Sequence, residues 1–119
     1  MKANISFSVR EVSPKTCVID IRGEINSFAE NALMDAYNDA TALAAQNILL
    51  NFNGLEYMNS SGIGLLVTLL IRVQRQKQKL AAFGLHDHYR QIFDLTRLNE
   101  AIQIFGDEAQ AIRALQEQG

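Results

Sequence analysis

At the opening of the chain, apolar and polar positions change places with a period of two. Ile5, Phe7 and Val9 alternate with Ser6, Ser8 and Arg10, the pattern of a strand with one face in a core. Ser13, Pro14 and Lys15 predict a turn around the only proline. Cys17, Val18, Ile19 and Ile21 follow as a second strand, so an antiparallel hairpin is expected. Residues 23–26 read as a loop, and Ser27 with Glu30 makes an S-x-x-E capping box that starts a helix. In that helix Leu33, Ala36, Tyr37, Ala40, Leu43 and Ala44 recur at helical spacing, leaving Glu30, Asp35 and Asp39 for solvent.

The period then changes. Residues 48–52 form a short apolar run between Asn47 and the Asn53-Gly54 pair, which predicts a buried central strand. From Ile63 to Val73 nearly every position is apolar, which predicts a helix buried on most sides. The polar run 74–78 ends it, and 80–85 is the next strand. After a loop at His86, Asp87 and His88, the residues Tyr89, Ile92, Phe93 and Thr96 repeat at helical spacing. Residues 101–105 read as a last strand, and Asp107 with Gln110 caps a helix that turns Ala111, Ile112 and Leu115 inward. The order β-β-α-β-α-β-α-β-α predicts an α/β fold: a mostly parallel mixed sheet, one antiparallel member from the hairpin, and helices packed on it. No internal repeat or linker interrupts it, so residues 1–119 are expected to form a single domain.

The stretch joining central strand and apolar helix holds the candidate chemistry. Asn59, Ser60 and Ser61 each have a side-chain oxygen suited to capping a helix. Gly62 and Gly64 suit a place where backbone comes close to a neighbouring element or a ligand. Capping alone accounts for one such polar residue, not three followed by two glycines. In open α/β sheets, binding and chemistry gather at the carboxyl ends of parallel strands. The Ser60 loop and the loop holding His86 and His88 should therefore share one edge of the sheet, with the 23–26 loop beside them.

Composition narrows the classes. The net charge of −2 argues against a direct nucleic-acid binder. The longest apolar run, 63–71, is about half the length of a membrane span and ends at Arg72. Residues 1–13 lack the apolar block of a signal peptide, and the single Cys17 fits a reducing compartment, so a cytoplasmic location is expected without membrane insertion. Cys17 itself reads as a small buried hydrophobe. A serine hydrolase using Ser60 or Ser61 with His86 or His88 would lack the G-x-S-x-G turn. The two histidines have no nearby partner to complete a metal site. The basic run Arg72, Arg75, Lys77 and Lys79 suits a solvated helix end. A phosphoaspartate receiver would need acids where the central strand ends in Asn51 and Phe52.

These residues resemble the STAS domain family, and within it the bacterial anti-sigma-factor antagonists. The matching features are Gly23-Glu24-Ile25, the strand 48–52 and above all Met58-Asn59-Ser60-Ser61-Gly62-Ile63-Gly64, with weaker echoes in Phe93-Asp94-Leu95-Thr96 and Ile104-Phe105. The resemblance implies a STAS-like fold over nearly the whole chain and a protein ligand, with no catalytic residue, metal or cofactor of its own. It implies that Ser60 accepts phosphate from an anti-sigma factor with serine kinase activity and that a phosphoserine phosphatase removes it. Asn26, Asn59, Ser60, Ser61 and Gly62 are then the partner-binding residues. This chain has Asn59 and Asn26 where relatives commonly carry Asp, each losing a charge and keeping an acceptor oxygen. It also has Arg97 where many have Gly. An interaction module that is never phosphorylated, such as an accessory subunit of a transport complex, is the alternative within the same fold.

Overall fold

A computed structural model describes residues 4–118; residues 1–3 and 119 of the predicted domain lie outside the described residues. Strands β1 (Ile5–Ser13) and β2 (Thr16–Ile25) form the expected antiparallel hairpin. β3 (Asn47–Met58), β4 (Lys79–Phe83) and β5 (Gln103–Phe105) join β2 in parallel, in the order β1-β2-β3-β4-β5. Helices α1 (Glu30–Ala42), α2 (Ser60–Arg75), α3 (Asp87–Leu95) and α4 (Glu108–Gln118) complete the described residues.

Because each parallel crossover steps one strand in the same direction, right-handed connections place α1, α2 and α3 on one face. Cys17, Ile19 and Ile21 of β2 and Ile48, Leu50 and Phe52 of β3 point there, into one core with Leu33, Leu66, Leu69 and Phe93. The alternate residues Val18, Leu49, Ala81 and Phe83 meet Ala111 and Leu115 of α4 on the other face. Covering both faces is what makes 48–50 a continuous apolar run. Phe52 and Phe93 meet edge to face with ring centroids 6.3 Å apart. Cys17 is fully buried as expected; burial, and then the charge of Glu11, push its thiol pKa up.

Several boundaries differ from the sequence reading. β2 runs on through Gly23, Glu24 and Ile25, so of the expected 23–26 loop only Asn26 lies outside the strand. The Ser27–Glu30 capping box does not form: Asn26 caps a 3-10 turn over Ser27–Ala29, accepting from the Phe28 N–H at 2.9 Å, and α1 begins at Glu30. The Asn53-Gly54 pair does not end β3, which continues to Met58 because β2 supplies a partner that far. The last strand shrinks to Gln103–Phe105, since Leu98–Glu100 closes as a 3-10 turn that carries the chain onward to it. The Asp107–Gln110 cap forms as expected, with the Gln110 N–H donating to Asp107 Oδ1 at 2.8 Å.

Lys15, Ala44, Lys77 and Arg97 hold left-handed backbone, with φ between 58° and 68°. Arg97 thus stands at a position whose geometry favours glycine. Ala44 follows the end of α1, where the Ala45 N–H returns to Ala40 O at 3.2 Å in a helix-closing turn. Its Cβ is strained there and contributes no core contact, as Ala44 is exposed. Ala44→Gly is expected to raise stability by up to ~1 kcal/mol, read as a higher urea midpoint at unchanged slope.

Beyond α4 the same sheet face turns polar. Arg10 of β1 donates Nη2 to Asp20 Oδ1 (2.9 Å) and to Glu108 Oε1 of α4 (2.7 Å), while Asn51 Nδ2 donates to Asp20 at 2.7 Å. The Arg10 hydrogen bonds lower the Asp20 pKa against the opposing effect of burial, with Asn51 helping. A carboxylate held below its unfolded pKa adds stability above that value and loses it as pH falls through the folded one. Stability is therefore expected to fall on acidification below about pH 4, and Asp20→Asn to flatten that limb by roughly 1 kcal/mol in urea titrations.

Candidate functional site

The site begins where β3 outruns its neighbour. Pairing with β4 stops at Asn51↔Phe83, whereas pairing with β2 continues to Ile25↔Met58. Two register shifts along this extension mark bulges, which bend and twist the β2–β3 ribbon. At its tip the Asn59 N–H donates to Ile25 O at 3.2 Å, so the chain leaves β3 against the end of β2.

Asn59 has extended backbone (φ −92°, ψ −177°) and its Oδ1 accepts from the Gly62 N–H at 2.9 Å, capping α2. Asn26 makes the matching bond to Phe28 one strand over. Gly62 explains the closeness of the two turns: a Cβ there would run into the Ile25 carbonyl and lie 2.7 Å from Met58 Cγ. Gly64 behaves otherwise. A Cβ on it would meet nothing within 4 Å, so the expected close approach to a neighbouring element is not there.

With the cap supplied by Asn59, the exposed Ser60 and Ser61 hydroxyls have no hydrogen bond among the described residues. They stand in the first turn of a helix that has no acid there, so its positive end carries no compensating charge. The structure thus brings together Asn26, Asn59, Ser60, Ser61 and Gly62. Phe28, 54% exposed, adds an aromatic ring on the Asn26 turn that the periodicity did not single out.

The histidines follow β4 at the same carboxyl edge of the sheet, as expected, but among the described residues make no side-chain hydrogen bond to this group. His86 precedes α3 without a side-chain cap bond, and the His88 ring stacks edge-on against Tyr89 with centroids 5.0 Å apart. Neither has a hydrogen bond to Ser60 or Ser61, so no base is positioned for a serine nucleophile. Tyr89 is the residue sequence reasoning missed, having read it only as an inward-facing position. Its buried hydroxyl accepts from the Met58 N–H at 2.9 Å and fastens α3 to the last residue of β3. Tyr89→Phe orphans a buried N–H directly before the serine turn. It is expected to cost about 1–3 kcal/mol and to speed hydrogen exchange at Met58.

Helix α2 is less enclosed than its composition predicts. Leu65, Leu66, Leu69, Leu70 and Val73 are buried, but Val67 and Ile71 face out, because only one side of a helix can meet the sheet and α1 spans little of the other. No helix among the described residues is long and apolar enough to cross a membrane.

The molecule is an α/β fold on one mixed sheet that holds two exposed hydroxyls at the start of a half-buried helix. Residues 8–111 match the STAS domain family, to which the chain therefore belongs, as the serine motif indicated. The anti-sigma-B factor antagonist of Listeria monocytogenes serovar 1/2a (strain ATCC BAA-679 / EGD-e) is 25% identical over 101 residues, covering 85% of this chain and 89% of the relative. The anti-sigma factor antagonist SpoIIAA in its unphosphorylated form superposes with a TM-score of 0.73 at 21% identity, over 93% of this chain and 98% of that one. The Bacillus cell fate determinant SpoIIAA in the phosphorylated form gives 0.72 at 23%, over 92% and 99%. At such identities the structures establish a shared fold.

Proposed function

We propose that this protein is an anti-sigma-factor antagonist, a cytoplasmic binding regulator whose docking surface is Asn26, Asn59, Ser60, Ser61 and Gly62 and whose switch is phosphorylation of Ser60. The observation that carries the reading is the free Ser60 hydroxyl on the first residue of α2, exposed beside a cap that does not use it. The relatives' names and the existence of a phosphorylated form of SpoIIAA support it.

In the unmodified state the turn is neutral and takes an anti-sigma factor that is itself the serine kinase. Ser60 Oγ attacks the γ-phosphorus of ATP held by that kinase. The bond to ADP breaks, and the hydroxyl proton passes to a base of the kinase. The phosphate adds about −1.5 to −2 charges at a helix start, where free N–H groups and the dipole stabilise an anion. A phosphoserine phosphatase reverses the step with water. Asn59 and Asn26 keep the cap oxygens that Asp would supply and leave this end of α2 without a prior negative charge.

Incubation with the cognate anti-sigma factor and labelled ATP tests the proposal. Incorporation of one phosphate that vanishes in Ser60→Ala supports it. A protein that binds its partner yet takes up no phosphate is instead an unmodified interaction module.

A further inference from the structure

The outward side of α2 is apolar where a solvated helix face would be polar. Ile63 is half-buried, Val67 is 38% and Ile71 45% exposed, and the three follow one another a turn apart along one ridge. Gly64 leaves bare backbone in the same stripe. At its far end Ile71 lines a groove of about 490 Å³ between α1 and α2, together with Tyr37, Thr41 and Thr68, and the stripe ends at Arg72 and Arg75. Among the described residues neither arginine has a carboxylate within 4.0 Å. An apolar ridge about 12 Å long with unpaired cations at one end fits a partner helix laid along it.

Charge selects the partner. A second copy packed antiparallel would set its positive α2 start over Arg72 and Arg75, and a parallel copy would set cations on cations. Neither arrangement brings a carboxylate to the two arginines, because α2 carries no acid. We infer that the α1–α2 groove takes an amphipathic helix of a different protein, with apolar side chains at i and i+4 along the ridge and carboxylates over Arg72 and Arg75. Gly64 lets that helix approach the backbone closely, next to the Ser60 turn. Docking here needs no modification of Ser60 and extends beyond the surface proposed above.

The test uses the whole unphosphorylated chain, labelled with nitrogen-15, and two synthetic helical peptides. Each has leucines at i, i+4 and i+8; one ends in a cluster of glutamates and the other in lysines. The glutamate peptide is expected to shift the Gly64, Val67 and Ile71 amides, and to lose about tenfold or more in affinity against Ile71→Glu and against the double variant Arg72→Glu with Arg75→Glu. All three positions are exposed, and circular dichroism melting checks that each variant folds. No binding, equal binding of the lysine peptide, shifts confined to other elements, or a concentration-dependent dimer that covers the ridge each overturn the inference. No kinase is involved, so this result and phosphate uptake at Ser60 stand or fall separately.

Discussion

Gly62→Ala is expected to destabilise the protein by about 3 kcal/mol, at the upper end of what overpacking usually costs. The added methyl meets the Ile25 carbonyl and Met58 Cγ. Neither can step aside cheaply: Ile25 is paired to Met58 at the ribbon's end, and Met58 is tied by its N–H to Tyr89. The second turn of the helix is already fixed by Leu65, Leu66 and Leu69 in the core, so α2 must shift at its first turn, carrying Ser60 with it. Chemical denaturation reads the first effect, and partner affinity reads the second. If Gly62→Ala melts like the parent, the packing of α2 on β2 is not what holds the serine turn.

The second large effect is on affinity and not on stability. Phosphate on Ser60 is expected to weaken binding of the anti-sigma factor by roughly 10- to 100-fold, within the usual span of coupled events. Melting should stay unchanged or rise slightly, since an anion at the start of a helix contributes about 0.3–1 kcal/mol. The two readings together identify the mechanism. Calorimetric titration of the phosphorylated and unmodified forms gives the first, and differential scanning calorimetry gives the second. A large loss of melting temperature on phosphorylation would mean a switch of fold, and would overturn an interface mechanism.

Element order and most core positions could be read from periodicity, because a sheet covered on both faces forces apolar runs at 48–50 and 80–85. Strand ends could not. Asn53-Gly54 carries a turn signal, yet the partner strand β2 overrides it by supplying pairing through Met58. Ser27 and Glu30 have the residue types of a capping box, but Asn26 reaches the Phe28 N–H first. The serine turn could be read because cap residues and glycines crowd between two apolar runs. Which of its three oxygens caps α2 could not, since Asn59, Ser60 and Ser61 share that chemistry and only backbone geometry assigns it to Asn59. Tyr89 was hidden for a related reason: its spacing reports burial, and the hydrogen bond its hydroxyl makes lies across the fold at Met58.

The overhang of β3 past β4 has a consequence for how the molecule changes over time. Residues 52–58 are held laterally by β2 alone, so the tip can open without unzipping the four parallel strands beneath it. Local fluctuations of this ribbon draw on a smaller free energy than global unfolding does. Exposed positions of the tip can therefore drift in sequence, and with them the proposed docking surface, while the layers beneath stay as they are.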